Sequence, residues 1–250
     1  MAIARTAKRA FGAPGIAPRW TESAKDAIGT AYSAGSTVWF TVSAGILNEV
    51  YYPTIDRPQI RDLQYLVTDG EHFFHDERRH LESRVEPIDE RALGVRLINS
   101  ERAGRYRIVK EVIADPHQPC ILVRTRLEGD ERVLAKLRLF ALLAPHLDVG
   151  GWENSGYVAE TAGREILVAE KHGTWLAMGA TVPFVEDKTY PGAMIASLSI
   201  RERTEFPAKE IVDAGFLELV RYGIVKPGQA IVEGRDFVVN VERRSGCKSA

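Results

Sequence analysis

Two short segments of the sequence combine the residue types that contact sugars. The first is Asn48-Glu49-Val50-Tyr51-Tyr52-Pro53, and the second follows Gly150-Gly151 and contains Trp152, Glu153, Asn154 and Tyr157. Carboxylates and amides hydrogen-bond hydroxyl groups, and aromatic rings stack on sugar faces. The alternative to sugar binding is that the aromatic rings fill the ends of a hydrophobic core, and residue type alone favours this packing role. The candidate carbohydrate contacts are Asn48, Glu49, Tyr51, Tyr52, Trp152 and Tyr157.

No pair of carboxyl groups stands out as catalytic. Hydrolysis of a glycosidic bond commonly needs two carboxyl groups, one kept protonated and one ionised. The chain has 34 acidic residues, and no motif separates two of them from the rest. Asp56 beside Arg57 and Asp62 beside Arg61 are interpreted as structural ion pairs or turn caps. We assign no catalytic residue.

Neither a metal nor a cofactor is expected. His72, His75 and His80 form a cluster next to Asp76 and Glu77, but alternate strand residues point to opposite faces, which favours a solvated hairpin edge. Nucleotide-binding glycine motifs, a nucleophile elbow and a zinc-protease helix are absent from the sequence. The two cysteines, Cys120 and Cys247, are interpreted as buried or idle thiols.

Charge and hydropathy exclude several classes of partner. The 33 basic residues nearly balance the 34 acidic ones, so the net charge is −1. A chain without a strong positive field is not expected to bind nucleic acid or an anionic membrane surface. The sequence also lacks the apolar stretch of a signal peptide or a transmembrane helix. These observations favour a cytoplasmic protein.

Short strands broken by turn residues dominate the sequence from Ser36 onward. In Thr37 to Ser43, the side chains of Val38, Phe40 and Val42 share one face, which predicts a half-buried strand. Turn residues separate further alternating segments, as expected for hairpins. Many antiparallel pairs must stack as two sheets to bury their apolar faces, which predicts a mainly β protein with a large antiparallel β-sandwich. The predicted hairpins pair 60–68 with 72–74, 93–97 with 106–113, 121–127 with 133–143, and 165–170 with 174–182.

The last quarter of the chain has a different pattern. Ile211, Phe216, Leu219 and Val220 recur at helical spacing before Gly223, which predicts a helix over 211–222. We therefore place a boundary near residue 186, between a β-sandwich domain at 1–186 and a short, partly helical tail at 187–250.

Three stretches of sequence resemble one family. They are GAPGIAPRWTESAKDAIGTA, VWFTVSAGILNEVYYPTIDRPQIRDLQYLVTDG and TWLAMGATVPF, which occur in this order between Gly12 and Val185. They are similar to the amino-terminal domain of bacterial glucoamylases and glucodextranases, in glycoside hydrolase family 15. The resemblance implies a large antiparallel β-sandwich that packs against a separate catalytic (α/α)6 barrel.

The tail resembles only fragments of that barrel. TYPGAMIASLSI at 189–200 is similar to a segment at the start of the barrel, and FLELVRYGI at 216–224 is similar to a later helix. A barrel of about a dozen helices, each of roughly 10 to 14 residues, does not fit in the 64 residues from Asp187 to Ala250. Glu202, Glu205, Glu210 and Glu218 therefore do not inherit the catalytic roles. We expect this tail to be poorly packed.

The resemblance implies a noncatalytic module that supports a catalytic barrel and shapes its substrate entrance. The expected partners are an α-glucan and a barrel-bearing chain, and an exposed barrel-facing surface predicts self-association. Two alternatives remain open. In the first, the chain is part of a split or full-length glucoamylase, which is exo-acting and inverting. In the second, it is a free-standing carbohydrate-binding module.

Overall fold

The computed structural model describes residues 4–5, 20, 23–150, 153–162, 164–181, 186–190, 193–197 and 237–240. Most of the described residues lie in strands, joined by two four-residue helices and one 3-10 turn. The elements are β1 (Ala4–Arg5), β2 (Ala27–Thr30), β3 (Trp39–Ser43), β4 (Ile46–Tyr51), β5 (Pro58–Thr68), β6 (Phe74–Asp76), α1 (Glu77–His80), β7 (Leu81–Pro87), β8 (Val95–Glu101), β9 (Tyr106–Ala114), β10 (Ile121–Gly129), α2 (Glu131–Leu134), β11 (Arg138–Pro145), the 3-10 turn (Leu147–Val149), β12 (Ser155–Thr161), β13 (Arg164–Lys171), β14 (Thr174–Met178), β15 (Glu186–Tyr190), β16 (Ala193–Ser197) and β17 (Phe237–Asn240).

These strands form three sheets. The largest has the order β15-β16-β17-β11-β5-β4-β3-β2, with β6 also paired to β5. A four-stranded meander, β10-β9-β8-β7, and a smaller sheet, β1-β12-β13-β14, complete the fold. The described pairs are antiparallel except β16 with β17. Since one apolar cluster joins side chains of the large sheet to side chains of the meander, the predicted antiparallel β-sandwich is confirmed.

The core lies between the large sheet and the meander. Phe40 and Val42 come from the large sheet, whereas Leu97, Ile108 and Val112 come from the meander, and all five are completely buried. Each set alternates along its strand, as the period of two requires. The predicted shared face of Val38, Phe40 and Val42 is therefore correct.

Both faces of the central strands are buried, whereas the sequence predicted a half-buried strand at Thr37 to Ser43. Thr41 and Ser43, expected on the open side of β3, are each only 5% exposed. All of Leu139–Pro145 in β11 and most of β5 are buried as well. Alternation along a strand identifies the inner face, but it does not tell whether the other face is covered.

Three of the four predicted hairpins are present. Thr68 pairs with Phe74, Ser100 with Arg107, and Lys171 with Thr174, so three of the turns lie where glycine-containing pairs indicated. The predicted hairpin of 121–127 with 133–143 is absent, because β10 pairs with β9 and β11 pairs with β5. The predicted strand start at Val133 is also wrong, because 131–134 is the helix α2. Its N-cap is Asp130, whose carboxylate accepts hydrogen bonds from two backbone N–H groups.

The remaining sequence predictions concern the two cysteines and the last quarter of the chain. Cys120 is exposed rather than buried, whereas Cys247 and the helix predicted over 211–222 lie outside the described residues. Strand β15, which begins at the predicted boundary residue Glu186, and strands β16 and β17 beyond it extend the large sheet. In the part of the chain that the structure describes, no helix is long and apolar enough to cross a membrane.

Candidate functional site

The first segment singled out in the sequence and the loop that leads into the second come together at one end of the large sheet. Gln59, at the start of β5, connects them through both ends of its amide. Its Nε2 donates to the carbonyl oxygen of Tyr52 at 2.6 Å, and its Oε1 accepts from the backbone N–H of Asp148 at 2.9 Å. We call this region, residues 52–59, 146–150 and 153–154 with the 172–173 turn, the corner.

Charged side chains surround Asp148 in the corner. The guanidinium of Arg57 forms an ion pair with Asp148 Oδ1, and the Nδ1 atom of His172 lies 3.2 Å from Asp148 Oδ2. The Nε2 atom of His172 lies 3.6 Å from Glu153 Oε2. The hydrogen bond from His172, followed by that from Arg57, lowers the pKa of Asp148. Asp148 is therefore a carboxylate and not a general acid.

The backbone of the corner adopts left-handed conformations at four residues that are not glycine. Asp148, Val149, Glu153 and His172 have φ angles between 48° and 60°. L-residues with side chains are disfavoured there, a β-branched residue most of all. The side chain of Asn154 opposes this cost, because its Oδ1 accepts from Leu147 N–H at 3.1 Å and its Nδ2 donates to the Gly150 carbonyl at 2.9 Å.

Aromatic and aliphatic side chains reach solvent around the corner. Tyr52 is 36% exposed, Trp175 is 51% exposed, and Val149 is 40% exposed. The ring centroid of Trp20 lies 5.3 Å from that of His146, which is itself buried. Burial lowers the pKa of His146 to about 4, so this histidine is neutral near pH 7. The mixture of rings, amides and charges is suited to contact with a hydroxyl-rich ligand.

The remaining predicted contacts lie in different surroundings. Asn48 is completely buried and Glu49 is 6% exposed, so neither presents a surface to a ligand from solvent. Glu49 Oε2 contacts Lys25 Nζ at 2.6 Å and the Tyr51 hydroxyl at 2.9 Å. Burial and the hydrogen bond to Glu49 raise the pKa of Tyr51 to about 12. These contacts occur inside the sheet because β4 is covered on both faces.

Trp152 and Tyr157 stay predictions. Trp152 lies outside the described residues, and Tyr157 is paired through its backbone with Val168 in the small sheet. Among the candidate carbohydrate contacts whose side chains the structure describes, Tyr52 is therefore the one on exposed surface in the corner.

A second polar cluster, which the sequence analysis missed, lies in the core between the sheets. Glu77 Oε2 contacts Lys110 Nζ at 2.7 Å and accepts from the Tyr65 backbone N–H at 2.8 Å. Asn99 Nδ2 donates to Glu77 Oε1 and to the Gly45 carbonyl at 2.8 Å. We call these residues the core network. The missed signal is the alternation Ile108, Lys110, Val112, which puts a lysine on an otherwise apolar face.

The core network does not provide a general acid that a substrate can reach. Burial raises the pKa of Glu77 and lowers that of Lys110, and their contact opposes both shifts. A raised carboxyl pKa is the usual mark of a glycosidase acid. Glu77 is, however, completely buried between the sheets. Its role is therefore structural, and it joins α1 to β5, β8 and β9.

The histidines and ion pairs are mostly structural. His72 is 75% exposed against Asp69, whereas His75 packs on the ring of His80 and contacts the Tyr106 hydroxyl at 2.8 Å, so the solvated-edge interpretation applies only to His72. Within the described ranges, no group of three or more potential ligands could hold a metal ion. Arg61 pairs with Asp62 at 2.9 Å, as expected.

Of the two interpretations of Asp56, an ion pair with Arg57 or a turn cap, the structure supports the turn cap. The guanidinium of Arg57 reaches Asp148 instead. Asp56 has a lowered pKa, mainly through a hydrogen bond from Thr54, and its role is that of a turn cap.

The fold defines the class of this protein as a large antiparallel β-sandwich domain. The family model described as "Glucodextranase, domain N" matches residues 10–196, and the chain belongs to this family. The glucoamylase of Clostridium sp. (strain G0005) is 34% identical over 173 residues, which is 69% of this chain and 25% of that protein. The crystal structure of a bacterial glucoamylase complexed with acarbose matches with a TM-score of 0.75 and 25% identity, covering 96% of this chain and 33% of that one.

These matches confirm the resemblance found in the sequence. The chain spans a quarter of the length of the glucoamylase it matches and a third of the matched glucoamylase structure. The family match ends at residue 196, within β16.

Proposed function

We propose that the chain acts as the noncatalytic N-terminal domain of a glucoamylase-type glycoside hydrolase. In this role it supports a catalytic (α/α)6 barrel and shapes the entrance for an α-glucan. The observation that carries the proposal is the family match over residues 10–196 together with the coverage of only 25% of a glucoamylase. The burial of Glu77, whose pKa is raised, agrees with a supporting rather than a catalytic role.

Glucose release from maltotriose and dextran tests the proposal directly. The purified chain is assayed alone at high concentration and then with a separately produced catalytic barrel from a glucoamylase relative. We expect no glucose from the chain alone, and a higher thermal midpoint of the barrel when the chain is added. Release of β-glucose by the chain alone would overturn the noncatalytic role, and a barrel unaffected by the chain would overturn the supporting role.

A second candidate function is direct carbohydrate binding at the corner. It is favoured by the exposed rings of Tyr52 and Trp175 close to a charged and amide-rich loop. Stacking of a sugar on one ring contributes roughly 0.5 to 1.5 kcal/mol, so loss of the Tyr52 ring should weaken binding about twofold to tenfold.

Calorimetric titration with maltoheptaose separates binding from packing. Tyr52→Ala should lose affinity and keep its midpoint of unfolding if the ring is a sugar platform. The matched control is Tyr32→Ala, since Tyr32 is 86% exposed and lies outside the corner. A lower midpoint with unchanged affinity would assign Tyr52 to packing instead.

A further inference from the structure

A cavity opens on the meander at the end that carries the β8–β9 turn. Its volume is about 380 Å³, which lies in the usual range for ligand pockets, roughly 300 to 1,000 Å³. The residues that line it are Ser100, Gly104, Tyr106, Arg107, Glu128 and Gly129. None of them belongs to the corner or to the core network, so the cavity is a separate feature of the fold.

Three polar residues of the cavity form one row across neighbouring strands. Ser100 of β8 pairs with Arg107 of β9, and Arg107 pairs with Glu128 of β10. Residues directly opposite each other on antiparallel strands share one face, with Cβ atoms about 5 Å apart. This face points away from the core, because the alternate residues Asn99 and Ile108 are completely buried. We call Ser100, Arg107 and Glu128 the polar row.

Two glycines leave the polar row accessible. A Cβ atom at Gly129 would lie 2.5 Å from the carbonyl oxygen of Arg105, so the strand backbones themselves form the wall at this point. Gly104 has a φ of 72° in the β8–β9 turn, where glycine is accommodated without strain. No atom lies within 4 Å of the place that a Cβ of Gly104 would take. The cavity is therefore open to solvent above this turn.

The polar row has hydrogen-bonding capacity beyond its own contacts. Arg107 Nε donates to Glu128 Oε2 at 2.8 Å, and Arg107 Nη2 lies 2.7 Å from the same oxygen. Glu128 Oε1 accepts from Arg126 Nε at 3.3 Å. Within the described ranges, Arg107 Nη1 and the Ser100 hydroxyl have no hydrogen-bond partner. Since a carboxylate offers about four acceptor positions, donors and an acceptor are available side by side.

The charges of the polar row favour a neutral ligand. The hydrogen bond from Arg107 lowers the pKa of Glu128, so this residue is an ionised acceptor. An anion would be repelled by Glu128 and would compete with it for Arg107, whereas a cation would be repelled by Arg107 and Arg126. The hydroxyl groups of a sugar both donate and accept, so a sugar can contact both members of the ion pair without separating them.

We propose that the polar row is a carbohydrate-binding site distinct from the corner. Arg107 and Ser100 donate to hydroxyl oxygens of one sugar unit, and Glu128 accepts from a hydroxyl hydrogen. Tyr106 is buried and offers no stacking face, so hydrogen bonds supply the affinity, and we expect a Kd of about 1 to 10 mM. The choice of a glucose oligomer as probe rests on the proposed function, whereas the site rests on the geometry of the row.

Titration of the isotope-labelled full chain with maltotriose, followed by nuclear magnetic resonance, tests the proposal. The backbone amide signals of Ser100, Gly104 and Gly129 should shift and saturate with the expected Kd. The signals of Gly150 and Gly173 report on the corner in the same titration. Unchanged signals in the polar row at about 50 mM maltotriose, well above the expected Kd, would overturn the proposal.

Matched variants locate the binding energy. Arg107→Met and Ser100→Ala should each raise the Kd about fivefold, because each removes one donor at an accessible position. Arg124→Met is the control, since Arg124 is an exposed arginine of the same sheet that pairs with Glu111 and does not line the cavity. Its Kd should equal that of the unmodified chain. Tyr52→Ala, which removes the ring of the corner, should leave the shifts in the polar row unchanged.

Inorganic phosphate tests the class of ligand. It should neither shift the signals of the polar row nor displace maltotriose, and phosphate binding there would overturn the neutral ligand. An unchanged Kd in both Arg107→Met and Ser100→Ala, or loss of the shifts in Tyr52→Ala, would overturn the site itself. Failure of the chain to support a catalytic barrel would not alter these results, because binding is measured on the chain alone.

Discussion

The core network and the corner use the same side-chain chemistry at opposite degrees of burial. Glu77 and Lys110 are almost completely enclosed between two sheets, whereas Arg57, Asp148 and His172 lie at the surface. A buried charge without its partner cannot be solvated, while an exposed charge exchanges its partner for water. Ion pairs in the core of this fold therefore determine global stability, whereas ion pairs at the corner determine local loop order.

Removal of one charge from the core network should give the largest effect. Lys110→Met leaves the Glu77 carboxylate buried without its cation, and we expect the free energy of unfolding to fall by about 4 kcal/mol. Urea denaturation measures the change. Lys136→Met is the control, since Lys136 is exposed. Adding Glu77→Gln to Lys110→Met should recover part of the loss, and a single variant as stable as the control would contradict the assigned role of the pair.

Acid should weaken the fold through His146, the buried histidine of the corner. The unfolded chain protonates this histidine near pH 6.5, whereas burial lowers the folded pKa to about 4. Between these values the unfolded state binds more protons, so the free energy of unfolding should decrease by about 3 kcal/mol as the pH falls from 6.5 to 4.

Comparison with a variant isolates this contribution from that of the carboxyl groups. His146→Gln should lose stability less steeply over the same pH interval, as followed by thermal unfolding. His117→Gln, at an exposed site, serves as the reference and should retain the full slope. Parallel pH profiles for His146→Gln and the unmodified chain would show that the folded pKa is not lowered.

The hydroxyl pair of Tyr65 and Thr125 should have an intermediate effect. The two oxygens lie 2.8 Å apart, and Tyr65 is buried. Thr125→Val leaves the tyrosine hydroxyl unpaired, at a cost of about 1.5 kcal/mol in the free energy of unfolding. A double-mutant cycle with Tyr65→Phe checks the assignment, because removal of both partners should cost less than the sum of the two single changes. Additive losses would mean that the pair is not coupled.

Neutralising an exposed pair in the corner should have the smallest global effect. Arg57→Gln removes the ion pair with Asp148 at a position where Arg57 is about half exposed, so the midpoint of urea unfolding should hardly move. Local amide exchange of residues 146–150 should become about threefold faster. A fall in the free energy of unfolding as large as that of Lys110→Met would contradict the proposed difference between the corner and the core.

The sequence predicts local features of this fold better than long-range ones. Turns marked by Asp69-Gly70, Ala103-Gly104 and His172-Gly173 are correct, because a glycine or aspartate specifies a turn through neighbouring residues alone. The helix at 131–134 was missed, although Asp130 is a typical N-cap, since the apolar residues around it also fit a strand.

The candidate site was only partly predictable for the same reason. Asn48 and Glu49 have the chemistry of sugar contacts, but their burial depends on strands that pack from elsewhere in the chain. Asp148 and His172, 24 residues apart, meet only after the sheets are formed. The partners Glu77 and Lys110 are 33 residues apart. The local sequence signal of their contact is the position of the lysine on an otherwise apolar strand face.

The order of the strands also has a consequence for how the chain folds. The meander of β7 to β10 is built from successive hairpins and is inserted between β6 and β11. Arg138 pairs with Thr68, so the β5–β11 ladder closes a loop that contains the whole meander. Early formation of its local hairpins shortens the disordered part of this loop and lowers the entropy lost on closure. We therefore expect weakened hairpins in the meander to slow folding more than equally destabilising changes at the corner.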